Sequence, residues 1–163
     1  MERDAVDGIL DQWHEERPDL DVTAMGVMGR LARASWVAHT NLQRFLAQFD
    51  LEPWEFDVLA TLRRAGPQGP LPSGRLAAMT MVGSAAMTNR VDRLVKRGLI
   101  HRETNPDNRR QLLISLTPPG FAHIDEVVGH HVDNQHKMLS GLAPTEISTL
   151  ADLLRKFLLS HGD

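Results

Sequence analysis

The chain has 163 residues with 18 Lys/Arg, 21 Asp/Glu and 8 His, a net charge of −3 and no cysteine. That length suits one domain with an adequate core, or one domain extended by association helices. The missing cysteine excludes disulfides, thiolate catalysis and thiol-based peroxide sensing, and no apolar run reaches membrane-spanning length or forms a signal peptide, so a cytoplasmic protein is expected.

Residues 3–16 read as a helix, because Val6, Ile9, Leu10 and Trp13 fall at i, i+3, i+4 and i+7 and make one narrow apolar face that must dock on something. Pro18 rules out continuing it, and Asp21 or Thr23 is placed to cap a long second helix over 22–49. There Met28, Leu31, Leu42, Phe45, Leu46 and Phe49 recur at helical spacing, and Gly26 and Gly29 soften its start or pack closely. Pro53 opens a third helix with Trp54, Val58, Leu59 and Leu62 inward, which the run Gly66-Pro67-Gln68-Gly69-Pro70 breaks.

Residues 73–80 read as a short helix, and Met81-Val82-Gly83 as a tight connection into Ser84 as N-cap of a helix over 84–98, the arrangement of a helix-turn-helix. Met87, Val91, Leu94 and Val95 form its apolar face, while Ala85, Thr88, Asn89, Asp92, Arg93 and Lys96 project away. Two strand-like runs, 99–103 and 111–116, flank a turn-rich basic tip and complete a β-wing. Such a helix lies in a major groove of double-stranded DNA, presenting Ser84, Thr88, Asn89, Arg93 and Lys96, while Arg109 or Arg110 reaches along the backbone or into a minor groove. Residues 84–110 carry seven Lys/Arg against three Asp/Glu, a basic stripe on an acidic body.

Thr117 caps the next helix, with Pro118 and Pro119 in its first turn and Phe121, Ile124, Val128, Val132 and Leu139 along it, ended by Gly141. A last helix over 144–160 carries Ile147, Leu150, Leu153, Leu154, Phe157 and Leu158. The helices at both ends, 22–49 and 117–161, hold more apolar surface than a winged helix needs, which calls for a homodimer and suits a palindromic operator. The expected fold is mainly α with a small β-wing: a winged helix-turn-helix lobe at 53–116, an added N-terminal helix at 3–16 and dimerisation helices at both ends, in one domain spanning 1–163.

His123, His130, His131 and His136 share a helix but offer no i, i+4 pair, so no metal site is expected; a pH-responsive interface is a better use for titrating imidazoles, and plainly solvated histidines are the leading expectation. With no GxSxG, Walker loop, dinucleotide fingerprint or HExxH, neither catalysis nor a cofactor is expected. Arg90 stands out. It sits about 40° from Leu94 around the helix, at the edge of the apolar stripe, and a guanidinium turned inward requires an acceptor. Asp57, on the flank of the third helix, is the acid expected to pair with it.

The order SGRLAAMTMVGSAAMTNRVDRLVKRGLIHRETNPDNRRQLLISLTPPG resembles the MarR family of winged-helix transcriptional regulators, most specifically in DRLVKRGLIHR, NRRQLLISLT and TPPG. The resemblance extends over nearly all of the chain and implies a triangular dimer. One departure is that the family usually carries Asp two residues before the wing arginine, where Asn108 stands, with Asp107 beside it as a substitute. DQWHEERPDLD, GVMGRLARAS, EFDVLATLRRAG and MTNRVDRL are similar to the urate-responsive, PecS-like branch, which also has the added helix. That resemblance implies that Trp13, Asp57, Arg90 and Arg102 bind a small anionic purine such as urate, Trp13 offering a flat surface and the arginines donors and charge. The function expected is a repressor released from DNA by that ligand; the alternative is a ligand-independent or pH-responsive DNA-binding protein of the same fold.

Overall fold

The computed structural model describes residues 2–66 and 69–162. Two compact units make up the chain, Met1–Pro53 and Trp54–Asp163.

The first unit pairs α1 (Ala5–Glu16) with α2 (Thr23–Ala47). Asp4 caps α1 by accepting the Val6 and Asp7 N–H groups at 2.8 and 3.1 Å, and the Asp7 carboxylate accepts the Asp4 N–H at 2.8 Å, so orphan amides are satisfied from both sides. The narrow apolar face docks in part: Val6 is 3% exposed, and Gly26 and Gly29 on α2 admit the Leu10 and Val6 side chains where a Cβ would stand 3.1 and 3.3 Å from them, whereas Ile9 and Trp13 stay exposed. Arg30 closes the contact by donating to Asp4 at 2.9 Å and Asp7 at 2.7 Å. At the start of α2, Asp21 accepts the Thr23 N–H at 3.0 Å, although the cap position itself is Val22.

The second unit runs α3 (Pro53–Ala65), β1 (Leu71–Pro72), α4 (Ser73–Met79), α5 (Ser84–Lys96), β2 (Ile100–Thr104), β3 (Leu112–Leu116), α6 (Pro118–Met138) and α7 (Pro144–Leu159). This is the expected mainly helical fold with a small wing. The sheet has three antiparallel strands in the order β1-β3-β2 rather than the two expected, since Leu71 pairs with Ile114 in a strand too short to show alternation. Leu59, Leu76, Leu94, Ile114 and Ile124 are fully buried and join α3, α4, α5, the sheet and α6 in one core.

Ser84 is the first helical residue of α5 and not its N-cap; Gly83 holds the cap position without a side-chain bond. The other end is firmly stopped. Gly98 takes φ +70°, the left-handed conformation that glycine adopts freely, and the Gly98 and Leu99 N–H groups return to the Val95 and Leu94 carbonyls at 2.9 and 3.1 Å. Thr117 then ties this stop to α6: its hydroxyl accepts the Gly120 N–H at 3.1 Å and donates to the Gly98 carbonyl at 2.6 Å. Gly120 is required there, because a Cβ would fall 1.8 Å from the Leu99 carbonyl oxygen.

Helix α6 ends at Met138, ahead of the expected stop at Gly141. No residue of α7 is buried, and Leu150, Leu153, Leu154, Phe157 and Leu158 lie open along it. Among the described residues no helix is long and apolar enough to cross a membrane.

Candidate nucleic-acid interface

Helix α5 buries Met87, Val91 and Leu94 and turns Asn89 and Lys96 outward, opposite that stripe. At about 100° per residue, Ser84 and Thr88 lean to one flank and Arg90, Arg93 and Arg97 to the other. The Thr88 hydroxyl donates to the Ser84 carbonyl at 3.1 Å. Ser84, Thr88, Asn89, Arg93 and Lys96, the residues expected to contact DNA, are all exposed on α5.

On one flank, α3 holds the helix. Arg97 donates to Glu55 at 2.7 Å, and Glu55 is 3% exposed, so a carboxylate deep in the unit is neutralised by the last turn of α5. The Trp54 ring lies under two guanidinium groups, Arg93 at 4.6 Å and Arg90 at 5.7 Å from its centre. Asp57 is half-buried, and that burial pushes its carboxyl above the usual carboxylate range against the opposing pull of Arg64 and Arg90. Arg90 and Asp57 therefore attract through space without the direct ion pair expected between them, and a separate pair, Arg97–Glu55, joins α3 to the end of α5. The missed pair had a signal: Glu55, Val58, Leu59 and Leu62 share one helical stripe, and a carboxylate on a buried stripe needs a cation.

The wing holds the other flank. Arg102 on β2 donates to Asp92 at 2.5 Å, with both side chains partly exposed. Asp92 and Arg90 are about 160° apart around α5, so Arg102 and Arg90 work on opposite sides of the helix. Arg102 instead joins Ser84, Thr88 and Leu112 around a cleft of about 110 Å³, smaller than the several hundred Å³ usual for small-molecule pockets. Trp13 belongs to the first unit, on α1, with 39% of its surface exposed.

At the wing tip Arg109 and Arg110 are exposed, and the loop beneath them is fixed by asparagines. Asn105 donates from Nδ2 to the Gln111 side chain at 2.6 Å and accepts the Asp107 N–H at 3.0 Å; Asn108 accepts the Arg110 N–H at 3.2 Å. Asn108 thus steadies the wing arginine's backbone itself, and the Asp107 carboxylate is not the substitute. Within the histidine cluster, the His131 ring lies tilted at 55° against Phe56 with ring centres 4.8 Å apart, and burial pushes its pKa below the ordinary imidazole value.

The MarR family profile matches residues 51–112, the segment from the start of α3 into β3. Over 149 residues the chain is 38% identical to the HTH-type transcriptional regulator PecS of Dickeya dadantii (strain 3937), covering 91% of this chain and 90% of that protein. The chain belongs to the MarR family. A crystal structure of an E. coli MarR mutant complexed with operator DNA superimposes with a TM-score of 0.71 at 28% identity, over 90% of this chain and 97% of that one. A structure of Bordetella bronchiseptica BpsR, whose DNA binding is regulated by 6-hydroxynicotinic acid, gives a TM-score of 0.68 at 28% identity, over 80% of this chain and 97% of that one. As a MarR-family member, the protein is a DNA-binding transcriptional regulator and not an enzyme.

Proposed function

We propose that this MarR-family regulator is a cytoplasmic homodimer that represses from a palindromic operator and is released from it by a small anionic purine such as urate. The observation that carries the ligand reading is the half-buried Asp57, already held above its ordinary pKa, beside Arg90. A urate monoanion drawn to Arg90 brings a second negative charge close to Asp57, and two such charges cannot stay together at low cost. Asp57 then takes up a proton or moves. Because Arg90 shares the Trp54 ring with Arg93, that change reaches the DNA-facing side of α5. Release follows if urate binds the released arrangement more tightly. The uncovered apolar face of α7 supports the dimer, since a second copy offers it a matching surface.

The test is operator binding on the intergenic DNA beside the protein's own gene, titrated with urate, for the natural protein, Asp57→Asn and Trp13→Phe. The natural protein should lose DNA as urate rises, and both variants should respond less. An unresponsive natural protein removes the purine; an unchanged response in Asp57→Asn removes the site. In the same assay without ligand, Arg109→Ala with Arg110→Ala should weaken binding on every sequence and flatten the salt slope by up to about two units.

A further inference from the structure

We infer that Met81 is a specificity-determining residue for DNA: its side chain packs against a thymine methyl group in the major groove. The inference rests on the reading that the first turn of α5 enters that groove, as a recognition helix does.

Helices α4 and α5 end in the same backbone motif, filled by different residues. After α5, Gly98 takes φ +70°, and the Gly98 and Leu99 N–H groups return to the Val95 and Leu94 carbonyls. After α4, Met81 takes φ +52°, and the Met81 and Val82 N–H groups return to the Ala78 and Ala77 carbonyls at 3.2 and 3.0 Å. This left-handed cap favours glycine, because a Cβ crowds the neighbouring carbonyl there. The Thr80 hydroxyl donates to the Leu76 carbonyl at 2.9 Å, so the turn is held by bonds that do not involve the Met81 side chain.

That side chain adds no packing to its own fold. Met81 is 92% exposed, the most exposed large apolar residue among those described. A strained, solvated methionine where glycine would serve points to a contact outside the chain.

Position and chemistry narrow that contact. Met81 lies in the turn that leads into the exposed Ser84, Ala85, Thr88 and Asn89, and recognition helices place their N-terminal residues against base edges. A thioether chain carries no charge for a phosphate and no N–H or O–H for a base acceptor, and it is flexible enough to fit an irregular surface. Of the groups that base edges display in the major groove, the thymine C5-methyl is the apolar one.

The experiment measures affinity and salt dependence on the intergenic duplex, in its natural form and with every thymine replaced by deoxyuridine, alongside thermal unfolding. The natural protein is compared with Met81→Gly, Met81→Leu and Asn89→Ala. Met81→Gly should melt about 3 °C higher, because the strain is gone, and bind the natural duplex about fivefold more weakly. Its salt slope should not change, since an apolar contact releases no counterion. Met81→Leu, which keeps an apolar side chain, should bind close to the natural protein. On the deoxyuridine duplex, Met81→Gly and the natural protein should bind alike. Should glycine loosen the turn, Met81→Asn, which also tolerates the left-handed conformation, carries the same comparison. A loss of the same factor on both duplexes overturns the thymine contact. Unchanged binding of Met81→Gly beside a weakened Asn89→Ala overturns the inference and leaves α5 in the groove; if neither substitution matters, the reading of α5 falls and the inference with it.

Discussion

The two flanks of α5 are braced by opposite physics. Toward α3 the brace is a carboxylate at 3% exposure met by Arg97, with an indole under two further arginines; toward the wing it is the partly exposed pair Arg102–Asp92 and a tight backbone junction at Gly120. A buried charge is costly when its partner is removed, whereas an exposed pair is screened and holds little. Of the two ion pairs, the one toward α3 therefore binds α5 more tightly than the exposed one toward the wing.

Arg97→Ala should have the largest effect, because it strips the buried Glu55 of that guanidinium: a loss of about 3 kcal/mol in denaturant unfolding, with an exposed-pair loss contradicting the comparison. Gly120→Ala should come next. Alanine gains about 1 kcal/mol in helix propensity, but its Cβ would overlap the Leu99 carbonyl, which also accepts the Thr117 N–H at 3.1 Å and cannot easily retreat. A net loss of about 1–2 kcal/mol is expected in the same unfolding measurement. Asp92→Ala should cost under about 1 kcal/mol, because Arg102 remains solvated without it.

The smallest expected effect sharpens the α3 side and has a pH signature. Asp57 has a raised folded-state pKa, so the folded form binds its proton more readily than the unfolded chain, and the stability linked to that proton is lost as pH rises through the raised value. Asp57→Asn carries no such charge and should melt slightly higher than the natural protein at pH 7. The gain should vanish below the ordinary value of 3.8, where the carboxyl is protonated in both states; a gain that persists there points to packing instead.

What the sequence disclosed follows the same division. Periodicity was enough for α1, α3 and α5, and Thr117 caps α6 as expected, because apolar spacing and proline placement are local; the cap of α5 was misread, since Gly83 and not Ser84 holds it. Strand β1 was hidden, since two residues have no period. Asp57 was expected to pair directly with Arg90, which it meets only through space, and the Arg97–Glu55 pair was missed, although the position of Glu55 on the Val58–Leu59–Leu62 stripe signalled it. Trp54 was read as an inward core residue; it is half-buried, and its role depends on which arginines cross it from α5, a relation between elements that spacing within either one does not contain.

Calorimetric titration of urate into the free protein and into the protein saturated with operator tests the coupling of ligand to DNA most directly. Linkage requires that operator weaken urate binding by the same factor by which urate weakens operator binding. Matching factors greater than one are the predicted result; an equal urate affinity with and without operator would contradict the account.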